Sequence, residues 1–524
     1  MGDLSDRPIP TARRGVRLSG TRLRSLPVWL APTVVTLVLT LAGLDAAQPW
    51  RDELATWSAA TRGVPALLRL AGTIDAATGP YYLLMHAWVA VAGDSVAALR
   101  LPSALAMAAA AGMTAVLGQR LAGARVGALA GLLFAVLPGT SRYGQEARPY
   151  ALATALAVLS TLLLVDALRR HGWGRWAGYA AATLALGLTH LIALTLLAAH
   201  ALVVLTRTDR TVGPPPPSAG TATADPAVDR APTNHRNPDR TGVGRLGQLR
   251  SWLLALVPVA LVLTPLFVLA RSQRSRQLDW VDTARLGDLA TLPGGLAQSA
   301  VVGGMLAALA ALGAGLLGRR GLLPLAAVLL PVLLLFAAGL AVPLWVPRYL
   351  VFVVPFGCLL AGAAVAAPRL PAALGVLALV GLLGLPDQVA LRRTHEWPRT
   401  TTVDYRSAAR IVADGQRPGD AVVYSPRDSW LFLDLGLRYH LRGQVPRDVL
   451  ATEDQDRRGD LWAVECARPA ECLAGTDRVW LVVAGRRADP LAAVPGAKGD
   501  ALRAGFTVTQ VWPRPGLTIA LLTR

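Results

Sequence analysis

Residues Val28 to Ala47 read VWLAPTVVTLVLTLAGLDAA, and Gln48-Pro49-Trp50-Arg51-Asp52-Glu53 follows directly. A helix needs about 20 apolar residues to cross a bilayer, and this run supplies them. The acidic pair Asp52-Glu53 therefore lies close to a membrane surface. Carboxylates there stay hydrated, find cations or do chemistry. The reading of this stretch sets the expectation for the rest: a membrane protein with polar machinery just outside its first span.

Composition agrees. The 524-residue chain is 53% hydrophobic and only 16% charged, against about 25% charged in soluble domains. Its mean hydropathy is +0.44. The net charge of +19 would suit nucleic acid if the arginines formed one patch. Instead they punctuate the gaps between apolar blocks, as cytoplasmic loops require, so nucleic acid is not an expected partner. The basic stretch Arg13, Arg14, Arg17, Arg22, Arg24 precedes an apolar run longer than a signal-peptide core, which reads as a signal anchor with residues 1–27 inside.

Five basic breaks organise the chain: Arg120/Arg125, Arg169-Arg170-His171/Arg175, residues 207–250, Arg319-Arg320 and Pro368-Arg369. Placing all five in the cytoplasm gives about eleven spans. They are expected at 28–47, 96–118, 124–140, 149–168, 176–190, 192–207, 251–270, 297–317, 321–341, 349–367 and 371–386. Segment 207–250 has the composition of a disordered insertion. Segment 80–93 is apolar but short and reads as an interfacial helix. The outer face then receives 48–95, 141–148, 271–295, 342–348 and everything beyond about 387. Arg271, Arg274 and Arg276 fall outside, against the positive-inside bias.

From 387 the long apolar runs stop. Ser407–Asp414 has a helical pattern, Asp420–Tyr424 reads as a buried strand followed by a helix through Leu431–Leu441, and Arg478–Val483 is a second strand. Phe506–Trp512 and Leu517–Leu522 pair as a hairpin. The expected architecture is a polytopic α-helical membrane domain, 28–386, carrying a small C-terminal extracytoplasmic α/β domain, 387–524. Cys466 and Cys472 both fall in that outer domain, the oxidising side, and are expected to form a disulfide. Two free thiols is the alternative.

The residues with chemical potential cluster at span ends. Adjacent carboxylates cannot share a helix face, so Asp52 and Glu53 must have different roles, or simply open a helix as solvated acids. Ser141-Arg142-Tyr143-Gly144-Gln145-Glu146-Ala147-Arg148-Pro149-Tyr150 joins two spans. Arg142 and Arg148 suit a lipid phosphate, since guanidinium binds phosphate bidentately. An internal pair between Glu146 and an arginine is the bland reading. Pro347-Arg348-Tyr349 and His190 complete the set. No metal-ligand spacing is present, although Asp52, Glu53 and His190 could converge on a divalent ion. One face thus collects carboxylates, arginines and a histidine beside lipid, which suits a substrate with an anionic head and an apolar tail.

These residues resemble the membrane-embedded GT-C glycosyltransferases. The Asp-Glu pair after the first span looks like their first outer loop. Tyr81-Tyr82-Leu83-Leu84-Met85-His86-Ala87-Trp88, Asp94-Ser95, Ala98-Leu99-Arg100-Leu101-Pro102-Ser103 and Gln145-Glu146-Ala147-Arg148-Pro149-Tyr150-Ala151-Leu152 are similar to the protein O-mannosyltransferase and aminoarabinose transferase branch, with Thr189-His190 and Arg348-Tyr349 adding to it. The loop Asp75-Ala76-Ala77-Thr78-Gly79 departs from the His-Pro-Pro run of many members. The resemblance implies transfer of mannose or a related sugar, with inversion, from a polyprenyl-phosphate donor to a glycan, lipid or protein acceptor at the outer face of the plasma (inner) membrane. It implies Asp52 as base and Glu53 as orienter of acceptor, cation or Asp52. Arg148, Arg348 and Arg142 would bind donor phosphate, with His190, Tyr349, Glu146 and Tyr81 lining the site. Rival classes are a transporter or lipid flippase and a lipid-linked glycan polymerase or ligase. A transporter would more often carry ionisable residues at mid-span.

Overall fold

The computed structural model describes residues 26–170, 172–206, 245–396 and 402–524. The basic N-terminal stretch, His171 and most of the 207–250 insertion lie outside the described residues.

Every apolar segment singled out above is helical where described. The chain runs α1 (Leu30–Leu41), α2 (Arg51–Ala60), α3 (Val64–Thr73), α4 (Gly79–Ala92), α5 (Val96–Ala122), α6 (Ala124–Val136), α7 (Pro138–Gly144), α8 (Tyr150–Arg169), α9 (Trp173–Thr189) and α10 (Leu196–Thr206). It continues as α11 (Arg245–Gln277), α12 (Leu286–Ala297), α13 (Ala300–Leu317), α14 (Leu322–Ala341), α15 (Val354–Ala366) and α16 (Leu370–Leu391). Among the described residues, six helical stretches, with Ala300–Ala341 counted as one, are long and apolar enough to span a membrane, or seven if α6 and α7 form one span bent by 67°. The protein is a multi-pass membrane protein.

Several boundaries differ from the expected ones for physical reasons. α1 ends at Leu41 rather than Ala47 because other side chains take its terminal carbonyls. Gln145 Nε2 donates to Thr40 O at 2.8 Å and Ala42 O at 2.9 Å, and Gly43 is left-handed at φ 71°. Ser141–Gly144 is not a loop but the end of α7, a helix that Pro138 restarts after extended Leu137. α16 runs past Pro386 to Leu391, so the membrane unit reaches beyond the expected boundary at 387.

Residues 300–341 are continuously helical through a tight turn at Gly318–Gly321. Both ends return to one neighbourhood: Gly294 meets Ala300, Gly295 meets Pro347 and Gly339 meets Trp345. The segment is therefore a hairpin, folded at Arg319-Arg320 as the basic break suggested. Small residues let the helices close up. A Cβ on Gly127 of α6 would collide with Ala115 O of α5, and one on Gly313 of α13 with Leu360 O of α15.

The tail carries α17 (Tyr405–Gly415), β1 (Ala421–Ser425), α18 (Leu433–Leu441), β2 (Arg447–Asp448), β3 (Ala451–Glu453), β4 (Val464–Glu465), β5 (Arg478–Ala484), β6 (Thr507–Arg514) and β7 (Leu517–Thr523). The main sheet has the order β2-β1-β5-β7-β6. β1 pairs parallel with β5, Ala421 opposite Val479, while β5–β7 and β7–β6 are antiparallel. Alternation explains the unbroken apolar strands. Val422, Tyr424, Trp480, Val482 and Ile519 face the core shared with α2–α4, while Val423, Leu481 and Leu522 face the core holding Leu502 and Phe506. Cys466 and Cys472 are joined in a disulfide.

The sheet domain is bolted to the α2–α4 layer. Arg62 pairs with Asp456 at 2.9 Å, Arg442 with Asp94 at 2.8 Å, and Trp57 meets Tyr439 edge-on at 5.2 Å. The segments expected on one face do meet. Ala147 N donates to Glu53 at 2.9 Å, Gln273 Nε2 to Ala71 O at 2.9 Å, Arg276 pairs with Asp460 at 2.5 Å and Arg348 with Asp52 at 3.4 Å. At the opposite end Arg169 donates to Arg120 O at 2.7 Å and Arg125 to Pro368 O.

Candidate functional site

α2 begins at Arg51 after extended Trp50, and its first turn carries both acids. Their fates diverge. Glu53 is 1% exposed. Arg100 of α5 grips it bidentately, Nε to Oε1 at 2.8 Å and Nη2 to Oε2 at 2.7 Å. The amides of Ala147 and Trp50 donate to it at 2.9 Å and 3.3 Å. Burial alone would raise this carboxyl's pKa, but Arg100 overrides burial and holds it below the ordinary carboxylate range. Arg100 also donates to Leu44 O, Ala47 O and Gln48 O at 2.8, 2.9 and 3.2 Å, so one guanidinium fixes the whole α1–α2 connection. Glu53 lines neither of the two cavities described below. Where a catalytic group beside an acceptor or cation was expected, its contacts are those of a clamp on the α1–α2 connection.

A second buried pair sits beside the first. Arg142 bonds Glu146 at 2.9 Å, donates to His395 O at 2.9 Å and stacks over Trp50 at 5.0 Å. Both members are nearly inaccessible, 4% and 1% exposed. The internal ion pair that competed with phosphate binding is the arrangement found, and neither Arg142 nor Glu146 lines the cavity. Tyr81 is likewise buried away from it. Its neighbour Tyr82 takes the place expected for it. His395 lies 3.8 Å from Glu53. Burial, aided by Arg100 and Arg142, pulls its imidazole down to about 3, so it is neutral at pH 7.

Asp52 points the other way, into a cavity of about 460 Å³. Arg51, Asp75, Tyr82, Arg148, Trp280, Arg348, Tyr349 and the tail loop Asp428–Phe432 share its wall. Arg348 Nη2 lies 3.4 Å from Asp52 Oδ2, its Nε donates to Tyr150 Oη at 3.1 Å, and its plane stacks near Trp280 at 5.1 Å. Asp75 accepts from Tyr82 Oη at 2.6 Å and from Gln277 Nε2 at 2.5 Å, and Arg148 Nη1 donates to Tyr82 Oη at 3.4 Å. Arg148 Nε is buried with no partner among the described residues. Burial disfavours the Arg148 charge, but Tyr82, Tyr150, Asp52 and Asp75 more than offset it, and the group stays charged.

A second cavity of about 550 Å³ adjoins the first. Its wall is largely apolar, with Leu191, Ile192, Phe267, Leu334, Leu335 and Leu344. Arg148, Gln277, Leu278 and Tyr349 belong to both walls. His190 lies on the apolar side, 5.5 Å from Tyr349 and 5.8 Å from Tyr150 between ring centres. The seam between the polar and the apolar chamber therefore carries one cation, Arg148, and one aromatic ring, Tyr349, beside Gln277 and Leu278. Of the residues expected at the site, Asp52, Arg148, Arg348, His190 and Tyr349 are brought together. Asp75, Tyr82, Trp280 and the tail loop were not foreseen.

No group of three His, Cys, Asp or Glu among the described residues is placed to hold a metal ion. The convergence of Asp52, Glu53 and His190 on a cation is not met, because Glu53 faces Arg100 and Asp52 faces Arg348.

Residues 79–224 match the sequence model of the family described as dolichyl-phosphate-mannose-protein mannosyltransferase. That match contains the motif run from Tyr81 to Leu152 on which the GT-C resemblance rests. No curated protein matches the chain. In fold the chain is similar to the crystal structure of ArnT from Cupriavidus metallidurans bound to undecaprenyl phosphate, with a TM-score of 0.61 at 14% identity, covering 95% of this chain and 98% of that one. The apo state of the same protein gives 0.56 at 15% identity, covering 94% and 97%. The archaeal oligosaccharyltransferase AglB from Archaeoglobus fulgidus, in complex with an inhibitory peptide and a dolichol-phosphate, gives 0.44 at 12% identity, covering 94% and 74%.

Proposed function

We propose that this protein is a GT-C glycosyltransferase that moves a sugar, mannose or a relative, from a polyprenyl-phosphate donor to an acceptor hydroxyl. The observation that carries the reading is the paired chambers: a largely apolar one adjoins a polar one holding Asp52, with Arg148 on both walls. The family match and the ArnT-like fold support it.

The chemistry follows from the arrangement. The polyprenyl chain lies in the apolar chamber, and its phosphate reaches the seam, where Arg148 and Arg348 supply charge-assisted hydrogen bonds. The unpaired Nε of Arg148 is a donor waiting for an acceptor. The sugar projects into the polar chamber. The acceptor hydroxyl oxygen attacks the anomeric carbon, its proton passes to the Asp52 carboxylate, and the carbon–oxygen bond to phosphate breaks with its electron pair on the phosphate oxygen. In-line attack inverts the anomeric centre. The arginines stabilise the charge that develops on the departing phosphate, and general-base assistance contributes about 10²-fold or more.

The same reading places the site and the tail domain outside the plasma membrane and the N-terminus in the cytoplasm, with about eleven spans. The Cys466–Cys472 bridge, which needs an oxidising compartment, supports that orientation.

The test uses the purified full-length protein in lipid nanodiscs with a panel of polyprenyl-phosphate sugars. Release of polyprenyl phosphate from at least one of them is expected. A protein that consumes none and does not bind polyprenyl phosphate would refute the reading.

A further inference from the structure

The tail domain does more than cap the membrane unit. Its β1–α18 loop, Asp428-Ser429-Trp430-Leu431-Phe432, forms the wall of the polar chamber that carries none of the three arginines. The loop is built rigidly. Trp462 Nε1 donates to Ser429 O at 3.1 Å, Leu431 N donates to Ser429 Oγ at 3.1 Å, and Leu431 O accepts from Tyr405 Oη. Phe432 holds a left-handed backbone at φ 49° and stacks on Trp462 at 5.8 Å, and Trp430 meets Trp462 at 4.9 Å. Strain at a non-glycine residue persists only where its surroundings enforce it.

The loop is also clasped to the membrane unit. Trp430 Nε1 donates to Asp279 Oδ1 at 3.0 Å, and the next residue, Trp280, shares the chamber wall while 45% exposed. Two partly exposed indoles thus border one chamber from two units of the chain. Beside them Asp428 is exposed, with no ion pair or hydrogen bond among the described residues, and Ser429 offers a hydroxyl. An indole face receives the apolar face of a pyranose, while a carboxylate and a hydroxyl bind its edge hydroxyls. An extended peptide would instead seek a free strand edge. No chamber-lining residue lies on a β-strand.

We propose that Asp428–Phe432, together with Trp280, is the acceptor subsite, and that it takes a saccharide whose hydroxyl is presented to Asp52. The proposal rests on the glycosyl-transfer reading above. It gives the tail domain a direct part in substrate choice and the Trp430–Asp279 clasp the role of fixing the distance between the two walls.

The test uses the full-length protein in nanodiscs with a polyprenyl-phosphate sugar that it consumes. Octyl β-glycosides serve as saccharide acceptors, and an acetylated, amidated Ser/Thr-rich peptide is the alternative. Glycosylated octyl glycoside is expected. Asp428→Asn should raise the acceptor KM relative to the donor KM by about tenfold, the value of one lost charge-assisted hydrogen bond. Trp430→Ala should raise it further. Trp430→Phe, which preserves ring packing if the alanine variant misfolds, should raise it through loss of the clasp. Peptide glycosylation without octyl glycoside glycosylation would overturn the proposal. So would an unchanged acceptor-to-donor KM ratio in both Asp428→Asn and Trp430→Phe. Donor hydrolysis by water with no stimulation by any saccharide would overturn this proposal alone, whereas no donor consumption at all would overturn it together with the transfer reading.

Discussion

Two charged clusters lie at the head of α2, and only one of them faces a cavity. The Glu53 carboxylate itself is fully engaged: Arg100 holds both of its oxygens, and the neighbouring Arg142 is matched in charge by Glu146, although both ring nitrogens of nearby His395 lack a hydrogen-bond partner among the described residues. Around Asp52 the pairing is looser. Its contact with Arg348 is 3.4 Å, and Arg148 keeps a buried donor free. Both regions use the same residue types. What separates a clamp from a reactive site is access: the Glu53 cluster lines neither chamber, whereas Asp52 and the free donor of Arg148 stand on a chamber wall where a substrate can reach them.

The comparison makes opposite demands on variants of its two halves. The largest effect is expected at Arg100→Ala, which leaves Glu53 as an uncompensated buried charge and frees three backbone carbonyls. Loss of such a partner costs about 3–5 kcal/mol. Thermal unfolding in detergent should show a large drop, or the variant should fail to accumulate. A variant as stable as the parent would mean that the clamp is not structural.

Arg348→Ala belongs to the other half. It should leave the melting temperature near that of the parent and weaken polyprenyl-phosphate binding by about 1.5–3 kcal/mol, the worth of a hydrogen bond to a charged group. Unchanged donor binding, with a large loss of stability instead, would erase the distinction between the clusters.

The smallest effect concerns pH. His395 has a folded pKa depressed to about 3, whereas the unfolded value is near the ordinary 6.5. The unfolded chain therefore binds more protons below pH 6.5, so this contribution to stability is fully present above 6.5 and declines as pH falls toward 3. Glu53, also depressed, adds its loss only below the ordinary carboxylate range. Between pH 6.5 and 5, His395→Gln should thus flatten the fall in melting temperature seen in the parent. Identical slopes would remove His395 from the account.

Much of this was legible in the chain. Apolar block length and arginine-rich breaks located the helices, and the shared face followed from alternating the breaks across a membrane. Short continuous apolar runs located β1 and β5, and two adjacent strand-like runs located the β6–β7 hairpin. The roles of Glu53, Arg142, Glu146 and Tyr81 were not legible, because burial there depends on partners far along the chain. Arg100 carried the one available signal: a charge set between Leu99 and Leu101 near the start of an apolar helix requires a buried counter-charge. His395 and the Asp428–Phe432 loop gave none, since nothing local distinguishes a loop lining a chamber from one facing solvent.

The central claim is that Asp52, and not Glu53, is the group that takes the acceptor proton. Asp52→Asn keeps the shape of the side chain and removes proton acceptance. Turnover on a polyprenyl-phosphate sugar should fall by about 10²-fold or more, while the melting temperature and polyprenyl-phosphate binding stay near those of the parent. Near-full turnover in a folded Asp52→Asn variant would contradict the account.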